Sequence, residues 1–209
     1  MTFYSGTYFV TSSDDGIRGK DSLVIEGGEI SVIAGDDGIK STNDSDPEKG
    51  FVHIIDGIIT IEAVDDAVKA VNSIVVDGGK TNILNSLEGL EATNITINDG
   101  DLKVVARDDG INAVRIGSND VFIAFNGGNI DVTVGAGDTD AVDSNNNLII
   151  TGGHINITTP RSSFDYDGSA EMTGGTLVVN GETLTSIPAG RGGRGRGSRG
   201  GDSFWGRGG

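Results

Sequence analysis

A four-residue turn signature recurs along the chain and constrains the fold more than any other feature. It reads DDGI at 14–17, DDGI at 36–39, DDAV at 65–68, LEGL at 87–90, DDGI at 108–111 and TDAV at 139–142, with a degenerate SSF at 162–164. Successive signatures begin 22, 29, 22, 21 and 31 residues apart. The two long intervals are the basic unit plus insertions, placed within Thr42 to Phe51, after Val114 and around Gly135 to Gly137. Repetition at this period marks a stacked architecture in which each unit covers its neighbour.

Between signatures the apolar residues alternate with a period of two, broken by a turn often written GG, as in SLVIEGGEISVIAGDDGIKS. This pattern predicts short strands whose inner face carries Leu23, Ile25, Ile30, Val32, Ile74, Val76, Ile149, Ile155, Ile157, Leu177 and Val179. No segment shows a helical period. A unit of two or three short strands cannot bury its own apolar face, but identical units stacked at about 4.8 Å bury a continuous core. The expected fold is therefore all-β: a parallel β-helix, or β-solenoid, of about seven rungs. A propeller blade needs about 40 residues, nearly twice this unit.

At 209 residues the chain is long enough for one domain, expected over 1–188. The remainder, 189–209, is rich in Gly and Arg, contains RGGRGRG and cannot form a core, so a disordered tail is expected there. The net charge is −16; five Arg against one Asp in 190–209 leave −20 on residues 1–189. Such a surface repels nucleic acid and anionic membrane and attracts cations. There is no Cys, which excludes disulfides, thiolate metal sites and thiol nucleophiles. No apolar run approaches the roughly 18 residues of a membrane span, and Met1 to Val10 lacks the basic start and apolar stretch of a signal peptide.

In a solenoid, equivalent turn positions lie above one another, so aligning the signatures reads out columns. The second position gives Asp15, Asp37, Asp66, Glu88, Asp109 and Asp140, ending in Ser162. The position after each signature gives Arg18, Lys40, Lys69, Glu91, Asn112, Asp143 and Asp165. Like charges one strand spacing apart repel by about 1 kcal/mol in bulk water and by more where water is excluded. Arg18, Lys40 and Lys69 supply counter-charge on the first three rungs. From Glu91 onward the partner column is itself acidic or neutral, so another cation is expected.

Calcium suits that role, because it takes six to eight carboxylate and carbonyl oxygens. The expected ligands are Glu88, Glu91, Asp109, Asn112, Asp140, Asp143, Asp165 and Asp167, with Asn145 nearby. Magnesium fits less well because it keeps its waters in a tight octahedron, and zinc finds only His53 and His154. An acidic face whose Asp-Gly turns serve only backbone geometry is the plain alternative for any single DDGI.

The segments GIKSTNDSDPEKGFVHI, EGLEATNITINDGDLKVVARDDGINA, DAVDSNNNLIITGG and FDYDGSAEMTGGTLVVNG resemble a family of bacterial carbohydrate-binding β-helix proteins, typically secreted by clostridia and their relatives. The resemblance covers almost all of 1–188. It implies a right-handed parallel β-helix with calcium sites, similar in shape to calcium-dependent pectate lyases, that binds plant cell-wall polysaccharide such as polygalacturonate or cellulose. It also implies an extracellular or cell-surface location. LEGL lacks one Asp and Ser162 replaces the last ladder carboxylate, both departures from the pattern.

A lyase would need a neutral Lys or Arg beside the metal. Lys40 and Lys69 are already engaged as counter-charges, and acidic neighbours raise a Lys pKa. The expectation is a binder rather than an enzyme, with no catalytic residues; a calcium-dependent lyase and a calcium-stabilised surface or fibre scaffold are the alternatives. Lys40, Lys69, Arg115 and Tyr166 are the candidate ligand contacts. Tyr4, Tyr8, Phe9 and Phe51 are assigned mainly to packing, and the open coil ends leave end-to-end self-association possible.

Overall fold

The computed structural model describes residues 1–115, 121–137 and 139–190. The expected disorder of the Gly/Arg-rich tail falls on 191–209, outside the described residues, as does most of the insertion after Arg115.

Among the described residues, alternating apolar residues form three sheets of eight, nine and seven strands, and apart from one last antiparallel strand the neighbours in each sheet are third-next in the chain order. One turn of the coil therefore contributes one strand to every sheet. The fourth rung, for example, consists of Ser73–Val76, Lys80–Ser86 and Leu90–Ala92. Among the described residues seven such rungs are complete, and an eighth is partial. The chain is a parallel β-solenoid, as the repeat predicts.

The register places like upon like. In the first sheet Leu23, Val52, Ile74, Ile95, Ile123 and Leu148 stack directly, all fully buried. In the third sheet Ile17, Ile39, Val68, Leu90, Ile111, Val142 and Phe164 do the same. Burying one such side chain stabilises by about 1.5–3 kcal/mol, so the columns are the main adhesive between rungs. One inward assignment is corrected: Ile149 faces outward opposite Ala124 and Glu171, while Leu148 and Ile150 are buried. The run NLII has apolar residues on both faces, so alternation alone leaves its phase open.

The turn from the first to the second sheet repeats a glycine with positive φ, including Gly28, Gly57, Gly79, Gly100, Gly128, Gly153 and Gly175. Only glycine adopts this backbone cheaply, and here stacking adds a second reason. A Cβ on Gly79 would lie 2.7 Å from the Gly57 carbonyl oxygen of the rung below.

The two ends differ. At the C-terminal end Glu182–Leu184 folds back antiparallel on Thr176–Val179, through Asn180 (φ 51°) and Gly181 (φ 82°), and Leu184 and Ile187 pack on the core. Positive φ at both turn residues matches the two-residue hairpin loop that suits strand twist. At the N-terminal end, among the described residues, Thr7–Ser12 pairs only with Glu29–Ala34, leaving one edge unpaired. Tyr4 and Phe9 are 68% and 80% exposed there, so the packing role expected for them does not hold.

Candidate metal centre

The signature turns connect the second sheet to the third. Register in the third sheet aligns Arg18 with Lys40, Lys40 with Lys69, Lys69 with Glu91, Glu91 with Asn112, Asn112 with Asp143 and Asp143 with Asp165. The column expected from the repeat is thus present.

Its companion column of second-position carboxylates is less exposed than a surface ladder would be. Asp37 is fully buried and Asp66 is 2% exposed. The turn holds them inward, because Asp37 Oδ1 accepts the Asp66 backbone N–H at 3.1 Å and Asp109 Oδ1 accepts that of Asp140 at 2.8 Å. Asp37 and Asp109 therefore each tie their rung to the next.

Counter-charge is arranged as the sequence suggests on the first three rungs. The Lys40 ammonium contacts Asp37 and lies 3.4 Å from Asp15, which Arg18 also approaches at 3.5 Å. Lys69 lies 2.5 Å from Asp66 Oδ2. It also reaches 3.0 Å from Glu91 Oε1, so compensation extends one rung further than the sequence columns imply. The long lysine stem makes this possible, since it spans a strand spacing that the Cα alignment does not show.

Beyond that point the charges accumulate. Oxygens of Asp66, Glu88 and Glu91 lie within 4.8 Å of one another. Burial, then the charges of Asp66 and Glu91, push Glu88 up to about 9. Burial pushes Asp66 up to about 7, outweighing the hydrogen bond from Lys69 that pulls it down. Further along, burial and then Asp109, Asp140, Asp165 and Asp167 push Asp143 up to about 7. Conversely, burial opposes the charge on Lys69, but Asp66 and Glu91 hold its pKa above the ordinary lysine value.

Asn112 gives the cluster its direction. The side chain is buried, and Nδ2 donates to Glu88 Oε2 at 3.0 Å. Its Oδ1 is buried without a hydrogen-bond partner, and its register neighbours are the acceptors Glu91 and Asp143. A buried carbonyl oxygen facing other acceptors costs about 1–3 kcal/mol unless a donor or cation meets it. The donor set is oxygen throughout, which fits calcium.

The structure brings Glu88, Glu91 and Asn112 together and adds Asp66, a member of the second-position column that is not among the ligands expected from the sequence. Asp109, Asp140, Asp143 and Asp165 continue the column, while Asp167 lies exposed just past the strand Ser162–Tyr166. Of the candidate ligand contacts, Lys40 and Lys69 are engaged with carboxylates, Arg115 is exposed, and Tyr166 packs half-buried against the core. The first signature position was missed: Asp36 groups with Asp14 and Asp15, and again with Asp37 and Asp65. The aligned signatures show that column as Asp14, Asp36, Asp65 and then Leu87.

A family model described as carbohydrate-binding domain-containing protein matches residues 1–138. No curated protein and no solved structure matches the chain.

Proposed function

Because the chain belongs to the family of carbohydrate-binding domain-containing proteins, we propose that it is a non-catalytic, calcium-binding module that attaches to acidic plant cell-wall polysaccharide outside the cell. The observation that carries the calcium reading is the buried, unpartnered Oδ1 of Asn112 beside Glu88 and Glu91. Glu88, Glu91, Asn112 and Asp143 would hold the ion, with Asp66 adjoining and Asp109, Asp140, Asp165 and Asp167 enlarging the negative field. Bound there, calcium would neutralise the column and offer open coordination positions to sugar oxygens.

A binding role without chemistry is supported by the state of the basic residues. Lys40 and Lys69 are both held above the ordinary lysine value by their carboxylate partners, against the pull of burial, so neither is a neutral base. The open edge at Thr7–Ser12 is where end-to-end self-association would occur.

Two measurements test the reading on the full chain. Calcium titration by calorimetry should show binding that weakens at least tenfold in Glu91→Gln. Pull-down on insoluble polygalacturonate in calcium should retain the protein without releasing unsaturated product. Absence of calcium binding overturns the metal assignment, and absence of retention on polygalacturonate or cellulose overturns the carbohydrate assignment.

A further inference from the structure

The outer face of the second sheet carries a polar groove unrelated to the acidic column. Its register forms a grid of two columns over three rungs: Lys80, Asp101 and Asn129 in one, Asn82, Lys103 and Asp131 in the other. Together with Leu102 at the floor these line a depression of about 200 Å³.

Its two lysines differ from the lysines beside the acidic column. Arg18, Lys40, Lys49 and Lys69 are each in an ion pair with a carboxylate. Among the described residues no ion pair includes Lys80 or Lys103, although Asp101 and Asp131 share the groove. Those two carboxylates are oriented by amides instead: Asn129 Nδ2 donates to Asp101 Oδ1 and Asn156 Nδ2 to Asp131 Oδ1, both at 2.9 Å. The two ammonium groups offset Asp101 and Asp131 within the groove, so a carboxylate meets less repulsion there than over the rest of so acidic a domain. The fixed amides and acids beside them suit hydroxyl recognition, since they combine donors and acceptors in preset directions.

Resting on the carbohydrate reading above, we propose that this groove is the seat of a carboxylated sugar chain, with Lys80 and Lys103 taking its carboxylates and Asn82, Asp101 and Asp131 its hydroxyls. The chain runs across the strands, along the solenoid axis. Rungs repeat at about 4.8 Å, a spacing comparable to one sugar residue, so successive residues meet successive rows of the grid. The acidic column on the third sheet then holds the metal and the sugar oxygens it coordinates, and the second sheet adds a seat for the polymer's carboxylates.

The test uses the full chain in saturating calcium, with trigalacturonate and cellotriose as probes, comparing the native protein with Lys80→Gln/Lys103→Gln. Neither side chain is in the core, so thermal midpoint and calcium affinity should be unchanged. Trigalacturonate affinity should fall at least tenfold in the double variant, while any cellotriose affinity changes less than threefold. Equal trigalacturonate binding by both proteins overturns the groove and leaves the carbohydrate reading intact. Equal loss of both sugars overturns the carboxylate-binding role of the lysines. Native protein that binds neither probe, but is retained on polygalacturonate in calcium, overturns the groove alone; if it is not retained there either, both readings fall.

Discussion

Asn112 donates its amide to Glu88 Oε2 at 3.0 Å, and that bond turns the other end of the same group, Oδ1, into a buried position with no donor. A carboxylate pushed up to about 9 and an orphaned carbonyl oxygen thus share one place on the third sheet. A single divalent cation bound there would relieve both. Calcium should therefore raise the thermal midpoint, by an amount corresponding to about 2.7 kcal/mol at a hundredfold excess over Kd. Differential scanning fluorimetry in chelator and in millimolar calcium measures it. Identical midpoints would remove the metal from the account, and Asn112→Ala should shrink the calcium-induced shift.

The raised carboxylates also fix a pH dependence. Asp66 and Asp143 are pushed up to about 7 and Glu88 to about 9, all by burial first, so the folded state holds protons that the unfolded chain has released. Above the ordinary carboxylate range the native state binds more protons than the unfolded one, and stability falls as pH rises. In chelator the midpoint should decline from about pH 5 through pH 9. Calcium requires the deprotonated groups, so its affinity should climb over the same range with release of protons. A chelated protein whose midpoint rises from pH 5 to 8 would contradict this assignment.

Two glycines separate backbone strain from stacking. Gly79 has φ +75° and a virtual Cβ 2.7 Å from the Gly57 carbonyl, whereas Gly181 has φ +82° and nothing within 4 Å. Gly181→Ala carries only the cost of the left-handed backbone, about 1 kcal/mol. Gly79→Ala adds a clash with the neighbouring rung and should cost about 3 kcal/mol or more. Chemical denaturation of both variants decides the point. Equal costs would mean that the rungs part easily at this turn.

The fold was legible because two periods coincide in the sequence, two residues along each strand and about 22 along the coil. Signature alignment gave the register Lys69 to Glu91 to Asn112 correctly, since backbone stacking follows repeat position. It could not show that the Lys69 side chain reaches the next rung, nor that Asp37 and Asp109 turn inward to accept backbone N–H groups of the following rung. Those outcomes depend on side-chain direction and depth. The groove on the second sheet stayed hidden for a related reason: Lys80 and Lys103 differ from the paired lysines in forming no ion pair with the carboxylates that stand in register with them, which residue type and spacing do not show. The capping strand Glu182–Leu184 was missed because it lies outside the repeat.

Polygalacturonate should pass through unchanged. Elimination needs an unprotonated base near the metal-bound carboxylate, and the lysines beside the column are held in their charged form. Incubation with calcium and polygalacturonate should produce no rise in near-ultraviolet absorbance from unsaturated ends. A rise that disappears in Lys69→Gln would establish a lyase.

Lys69 itself provides the sharpest distinction between a protein cation and a bound one. Its ammonium sits 2.5 Å from Asp66 and 3.0 Å from Glu91, within a group of three carboxylates whose oxygens lie inside 4.8 Å of one another. It therefore occupies ground that a metal ion could claim. Lys69→Gln keeps most of the side-chain volume and removes the charge, leaving Asp66, 2% exposed, without its partner. In chelator, breaking such a buried pair should cost about 3–5 kcal/mol. In calcium the same variant should recover much of that loss, because Asp66 becomes available as a further ligand beside Glu88 and Glu91. Its calcium Kd should consequently fall by tenfold or more, about 1.4 kcal/mol, against the usual expectation that a destabilised variant binds more weakly. Calorimetric titration of the two proteins at one pH reads this directly. An unchanged or weaker affinity in Lys69→Gln would show that the Asp66, Glu88 and Glu91 group is held together by the lysine alone and is no part of the metal centre.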